Sequence, residues 1–143
     1  GMFAQMKTLK NLDVSNFNTS KVTSFDSMFE NCSSLTELNL SNFDTANVTN
    51  MGFMFNGCKS LENINLSSFN TSNVLRVDSM FKYCHKILTL DLSSFDLTNV
   101  TNTDNMFAYS GITTVYAKTQ SDLEKLSSSS GKPDNVVVQL KNA

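Results

Sequence analysis

A repeat with a period of 26 residues constrains this chain more than any other feature of its sequence. Units that begin at residues 9, 35, 61 and 87 carry the same residue types in the same order. A residue type that recurs at a fixed interval occupies an equivalent environment in each unit, so we expect the units to stack on one another. The most regular columns, all expected in the core, are Phe17, Phe43, Phe69 and Phe95; Met28, Met54, Met80 and Met106; Phe29, Phe55, Phe81 and Phe107; and Cys32, Cys58 and Cys84.

Each unit carries the pattern of a short strand followed by turns. In "LTELNL" (35–40) apolar and polar residues alternate, so one set of side chains points inward and the other outward. The next segment, "SNFDTAN" (41–47), consists of turn-forming residues. The spacing from Val22 to Cys32 predicts one to two turns of α- or 3₁₀-helix with one buried face. Successive strands should form a parallel sheet with a spacing of ~4.8 Å, and the short helical segments should lie on its other side.

The two ends of the array differ. Residues 2–110 are predicted to form the array, with a partial first unit, and residues 111–143 a last strand and a C-terminal cap. "GITTVYA" (111–117) and "VVVQL" (136–140) predict strands, and a capping box from Ser121 to Glu124 predicts a helix over 121–126. Only "MFAQMKT" (2–8) precedes the first strand, so its apolar edge at 9–14 is expected to be uncovered. We expect a piece of a longer array that can self-associate end to end at this N-terminal unit.

The repeated pattern resembles a known family. L-x-x-L-x-L on a fixed period is the leucine-rich-repeat signature. The longer pattern, clearest in "LTELNLSNFDTANVTNMGFMFNGCKSL" (35–61), resembles the BspA-type leucine-rich repeats of bacterial surface proteins. Within these it is similar to the branch once described as a mycoplasma lipoprotein domain of unknown function. The resemblance implies a right-handed leucine-rich-repeat solenoid of the α/β type. It also implies cell-surface or secreted placement and a role in adhesion to a host or neighbouring-cell component.

One position departs from the general leucine-rich repeat. Where that repeat has an Asn whose amide satisfies the turn, this chain has phenylalanine at 17, 43, 69 and 95. An unsatisfied buried backbone group costs ~1–3 kcal/mol, so other groups must replace the amide. The recurring hydroxyls are the candidates: Ser15, Ser41, Ser67 and Ser93, and Thr19, Thr45 and Thr71.

The three cysteines allow three interpretations. A disulfide framework is disfavoured by the odd count, and a metal site by the absence of C-x-x-C spacing and the presence of a single histidine, His85. Burial as small apolar side chains is the third. A Cys84–His85 pair could suggest nucleophilic catalysis, but sequence neighbours on a turn seldom face each other. The five glycines form no phosphate-binding loop. We therefore expect no enzyme, no cofactor and no metal.

Composition narrows the classes of partner. The net charge of −2 and a pI near 5.2 give no basic surface for nucleic acid. No apolar run reaches the length of a membrane span, so no membrane insertion is expected within this segment.

The outward side chains of the strands form the candidate recognition surface, here called the strand face. Such ladders of amide and carboxylate groups could bind glycan hydroxyls or a polar protein segment. Two alternatives remain open: a face kept polar for solubility, and a structural spacer or stalk with no ligand of its own. The eight residues of the strand face are Asn11, Asp13, Glu37, Asn39, Asn63, Asn65, Thr89 and Asp91.

Overall fold

The computed structural model describes residues 1–141. Its regular elements are β1 (Thr89–Asp91), β2 (Thr114–Ala117), α1 (Gln120–Ser127) and β3 (Val137–Leu140). The strands form a parallel sheet in the order β1-β2-β3. The strands expected within 111–117 and 136–140 are confirmed, and the inward residues of the first of these are buried as predicted: Ile112, Val115 and Ala117.

The equivalent segments of the earlier repeats do not form a regular sheet. One long backbone contact joins Thr36 N–H to the Lys10 carbonyl at 3.4 Å, and another joins Glu62 N–H to the Thr36 carbonyl at 3.3 Å. By contrast, β1 and β2 are flanked by bonds of 2.8 Å from Thr113 to Leu88 and of 2.9 Å from Leu92 to Tyr116. A ladder needs short bonds at regular intervals. The sheet predicted over all repeats is therefore regular only from β1 onward.

The segment predicted as helix is instead a series of tight turns. Phe29 N–H donates to the carbonyl of Met54, 25 positions along the chain, at 2.9 Å, and Asn31 N–H donates to that of Asn56 at 2.7 Å. Glu30 N–H, between them, donates within its own turn to the Ser27 carbonyl at 3.2 Å, and Cys32 N–H donates to the Phe29 carbonyl in the same way. Asn31 has φ 58°, in the left-handed region that no right-handed helix contains. The helical segments predicted over 22–32 and at the equivalent positions of the other repeats are thus absent from the described residues. Isolated parallel bridges join Ser24, Asn50, Arg76 and Asn102 along the same side.

Columns of identical side chains fill the space between the strand segments and the turns. The rings of Phe3, Phe29, Phe55 and Phe81 stack in sequence, with centroids 5.7, 5.8 and 5.5 Å apart. Offset stacking of aromatic rings contributes ~0.5–1.5 kcal/mol per pair beyond the buried area. The Met, Phe and Cys columns were predicted to be core. The structure confirms this for Met28, Met54, Met80, Met106, Phe29, Phe55, Phe81, Phe107, Cys32, Cys58 and Cys84.

Buried threonines join consecutive repeats. The Thr45 hydroxyl donates to the Asn70 carbonyl at 2.9 Å and accepts from the Asn70 N–H at 2.8 Å. Thr19 and Thr71 make the same pair of bonds to Asp44 and Asp96. The predicted role of the threonines in satisfying the turn is confirmed. It is wrong for the serines, whose hydroxyls at 15, 41, 67 and 93 make no such bond within residues 1–141.

The C-terminal helix packs on the last repeat. It begins at Gln120, one residue earlier than expected, because Thr119 rather than Ser121 is the N-cap; the Thr119 hydroxyl accepts the Asp122 N–H at 3.1 Å. The Asp122 carboxylate accepts the Leu97 N–H at 3.1 Å. The Lys125 ammonium donates to the carbonyls of Leu97 and Val100 at 2.7 and 3.0 Å. Side chains of α1 therefore satisfy backbone groups at the end of the array. The division into an array (2–110) and a cap (111–143), the solenoid class and its handedness stay predictions.

Candidate functional site

The strand face is exposed and borders a shallow groove. All eight predicted residues are exposed, while Leu38 and Leu90 between them are buried. The groove has a volume of about 870 Å³. The structure brings six of the predicted residues together along it: Asn11, Asp13, Glu37, Asn39, Asn63 and Asn65.

The remaining two predicted residues continue this surface toward the C-terminus. Thr89 and Asp91 line a second depression, of about 620 Å³, together with Asn63 and Tyr116. The Lys141 ammonium lies 2.5 Å from the Asp91 carboxylate at its edge. This exposed ion pair offsets part of the negative charge of the face at its C-terminal end.

The strand face consists of two columns of side chains. The first, which comprises Asp13, Asn39, Asn65 and Asp91, is hydrogen-bonded to nearby backbone. Oδ1 of Asp13 accepts the N–H of Ser15 at 2.9 Å, and Oδ1 of Asn39 accepts the N–H of Ser41 at 3.0 Å. Asn65 and Asp91 repeat the bond. The side-chain oxygens therefore close turns at the end of each strand segment. This role was missed, although an Asx two residues before Ser at the start of a turn signals it.

These bonds also change the pKa of the two acidic residues of this column, Asp13 and Asp91. The hydrogen bonds from the side chain and backbone of Ser15 lower the pKa of Asp13. For Asp91, burial raises the pKa, but the hydrogen bonds from Lys141 and Ser93 outweigh it, so that the pKa is lowered overall. Both carboxylates are ionised at neutral pH, and the column offers acceptors rather than donors at these two positions.

The side chains of the second column do not close turns in this way. The side chains of Asn11, Glu37, Asn63 and Thr89 make no hydrogen bond or salt bridge to other groups in residues 1–141. The amides of another recurring column are engaged: those of Asn47, Asn73 and Asn99 each donate to a carbonyl of the preceding repeat. The unengaged amides, carboxylate and hydroxyl can therefore serve a ligand without loss of an internal bond.

The cysteines are buried and hydrogen-bonded to backbone. All three are free thiols, as the interpretation of burial requires. The thiol of Cys84 donates to the Phe55 carbonyl at 3.2 Å, and Cys58 and Cys32 make the same bond one and two repeats earlier. Burial raises the pKa of Cys84 to about 12 and also raises those of Cys32 and Cys58. A thiol with a raised pKa and no access to solvent is a poor nucleophile.

His85 does not pair with Cys84. Its ring is exposed and lies edge-on to the ring of Tyr83, with centroids 6.2 Å apart. The described residues hold no group of three or more His, Cys, Asp or Glu side chains arranged to bind a metal ion. Among the same residues, no helix has the length and apolar character needed to cross a bilayer.

Two exposed tyrosines were missed by the sequence analysis. Tyr83 and Tyr109 occupy equivalent positions in consecutive repeats, and their rings stack with centroids 5.1 Å apart. Tyr83 is 38% exposed and Tyr109 66% exposed. Their position precedes the Cys column by one residue and is Asn31 and Gly57 in the earlier repeats. The change from small or polar residues to tyrosine within one column was the available signal.

The sequence matches one family model over most of its length. This model, described as "Mycoplasma protein of unknown function, DUF285", matches residues 1–119. The chain belongs to this family. The match covers the repeats and β2, and α1 and β3 lie beyond it. Comparison with curated proteins and with solved structures gave no significant match.

Proposed function

We propose that this chain is a non-enzymatic interaction module that binds a protein or a glycan through the strand face. The observation that carries the proposal is the unengaged column of Asn11, Glu37, Asn63 and Thr89 beside the groove and the second depression, which share Asn63. Interfaces need polar groups that can form about one hydrogen bond per 100–200 Å². A column with free donors and acceptors at a regular spacing supplies them on a rigid support.

The family resemblance supports the setting. The 26-residue pattern resembles that of BspA-type leucine-rich repeats, and we propose on this ground that the array is a right-handed solenoid of that class. Proteins of this class act at the bacterial cell surface or are secreted, and we propose the same placement here. The partner is then a protein or glycan of a host or a neighbouring cell.

Self-association at the N-terminal unit belongs to the same proposal. Met2 and Met6 are 68% and 42% exposed, and Leu9 and Leu12 are only half-buried. An apolar edge of this kind favours pairing with a second copy. Sedimentation velocity over a hundredfold range of concentration tests it, with Met2→Lys as the variant expected to remain a monomer.

A spacer is the second candidate. It is favoured by the column of Asp13, Asn39, Asn65 and Asp91, whose oxygens already serve their own turns. A spacer needs the stacked repeats but no free groups on the strand face.

Binding to a panel of immobilised glycans and purified cell-surface proteins separates the two candidates. The groove variant carries Asn11→Ala, Glu37→Ala and Asn63→Ala, and should lose at least about tenfold in affinity because hot-spot truncations exceed ~1.4 kcal/mol. The matched control carries three exposed substitutions away from the groove: Thr23→Ala, Thr49→Ala and Thr101→Ala. Equal affinity in the two variants would show that the binding site lies outside the groove. Absence of binding by the unmodified chain would favour the spacer.

A further inference from the structure

The tyrosines Tyr83 and Tyr109, here called the aromatic pair, stack face to face beside the strand face, and Tyr109 is the more exposed of the two. The ring planes differ by 12°. Leu88, 60% exposed, and His85 lie toward the strand face, where both line a depression of about 550 Å³ with Asn63 and Thr89. The aromatic pair is therefore continuous, through His85, with two residues of the strand face.

The backbone at both tyrosines is held in a conformation that tyrosine disfavours. Tyr83 has φ 62° and Tyr109 φ 56°, whereas the equivalent positions Asn31 and Gly57 suit positive φ. Strain of this kind costs of order 1 kcal/mol and persists where something else maintains it. Phe53, also at positive φ, is half-buried, so packing can offset its strain. Tyr109 is two-thirds exposed, so burial offsets little of its strain.

Basic side chains surround the aromatic pair. The Lys82 ammonium lies 5.4 Å from the centroid of the Tyr83 ring and 5.8 Å from that of Tyr109. Lys86 lines the depression together with His85 and Glu62. Within residues 1–141 the salt bridges are those of Arg76 and Lys141, so neither Lys82 nor Lys86 is neutralised by a carboxylate in contact with it. In a chain of net charge −2, this edge is locally positive.

We propose that the exposed ring of Tyr109, backed by the stacked ring of Tyr83, is a stacking platform for a saccharide that carries a carboxylate. The negative face of an aromatic ring attracts the polarised C–H groups on the flat side of a sugar ring. The Lys82 and Lys86 ammonium groups would contact the carboxylate, and the His85 ring and the Asn63 amide would bond to hydroxyls. The inference rests on the proposed interaction function and names its ligand class. It also adds residues that lie outside the strand face.

The test is a calorimetric titration with a hexasaccharide of alternating uronic acid and N-acetylhexosamine, with neutral maltohexaose as the control ligand. Tyr83→Asn with Tyr109→Asn should lower affinity at least about tenfold, because aromatic anchors carry much of the energy of an interface. Tyr83→Phe with Tyr109→Phe keeps both ring faces and should bind as the unmodified chain does. Lys82→Gln should weaken binding and reduce its dependence on salt. The midpoint of thermal unfolding should stay the same or rise in the Asn variant, since Asn tolerates positive φ.

The outcomes separate this proposal from the broader one. Loss of hexasaccharide binding in the Asn variant but not in a variant that carries only Asn11→Ala and Glu37→Ala supports the platform and removes that part of the groove from glycan binding. Loss in both supports one continuous site. Undiminished binding by the Asn variant, equal binding of maltohexaose, or binding of a Glu-rich peptide in place of the hexasaccharide would overturn the proposal. None of these three results bears on whether the groove variant loses binding to a ligand from the panel. The proposed function can therefore stand when the platform fails.

Discussion

The hydroxyl of Thr45 lies between the N–H and the C=O of Asn70 in the next repeat and is hydrogen-bonded to both. Thr45 is 1% exposed, so water does not reach this contact. One side chain therefore satisfies two backbone groups of a different repeat. The contact recurs at Thr19 and Thr71, so it acts on each junction between repeats rather than on one site.

Thr45→Val should destabilise the protein, because the two backbone groups of Asn70 lose a buried partner while the shape of the side chain is kept. The expected loss in free energy of unfolding is ~1–3 kcal/mol, measured by urea denaturation. Thr49→Val is the matched control, since Thr49 is exposed and its single bond to the Thr23 carbonyl is 3.3 Å long. Equal stability of the two variants would show that the buried bonds contribute nothing.

Gly111→Ala should be among the most damaging single substitutions. A Cβ atom at Gly111 would lie 2.0 Å from the His85 carbonyl oxygen, so backbone would have to move at the start of the segment leading to β2. The expected cost is more than ~2 kcal/mol in free energy of unfolding. Gly52→Ala is the control, because its Cβ would meet only side-chain oxygens, the nearest at 3.0 Å. A Gly111→Ala protein as stable as the control would contradict the close approach of the two segments.

The thiols should be protected in the folded state. Folded protein should react slowly with a thiol reagent at pH 8, and denatured protein should titrate three thiols without reductant, because all three cysteines are buried and free. Adding a reductant to the denatured sample is the control and should not change the count. Fast labelling of folded protein would contradict the buried column.

The same burial makes stability fall at alkaline pH. The pKa of Cys84 rises from its ordinary value of 9.0 to about 12 on folding, so between these values the unfolded chain has lost a proton that the folded chain retains. Unfolding then becomes more favourable by ~1.4 kcal/mol per pH unit for this thiol. Cys84→Ala should reduce that slope between about pH 9 and 12, measured by denaturation at several pH values, with Thr49→Ala as the control. An unchanged slope would show that Cys84 ionises in the folded state.

The sequence predicted the columns of the repeat but not the backbone between them. Identity at a fixed interval was enough to separate inward from outward residues, as the burial of Leu38 and the exposure of Glu37 show. The spacing of the apolar residues from Val22 to Cys32 fits two backbone structures equally well. One is a short helix, and the other is a series of turns whose N–H groups bond to another repeat. Only backbone conformation distinguishes them, and Gly57 in the column of Asn31 was the one local signal of positive φ.

The candidate site was predictable in position and only partly in chemistry. Alternation along each strand placed all eight residues on the exposed face. It gave no means of telling Asn39, whose oxygen closes a turn, from Asn63, which is unengaged. The stacking of Tyr83 on Tyr109 depends on the distance between repeats and on side-chain direction. Neither follows from the order of residues in one repeat.

The most direct test of the account is the response of individual side-chain amides to a ligand. Side-chain N–H signals are assigned by NMR, and the strongest binder from the panel of glycans and cell-surface proteins is added in steps. The account predicts that the amide signals of Asn11 and Asn63 shift, because they line the groove and are unengaged. The signals of Asn47 and Asn73, which donate to backbone carbonyls, should stay in place. Shifts confined to Asn47 and Asn73, or no panel member retained by the protein, would contradict the claim that the strand face binds a partner.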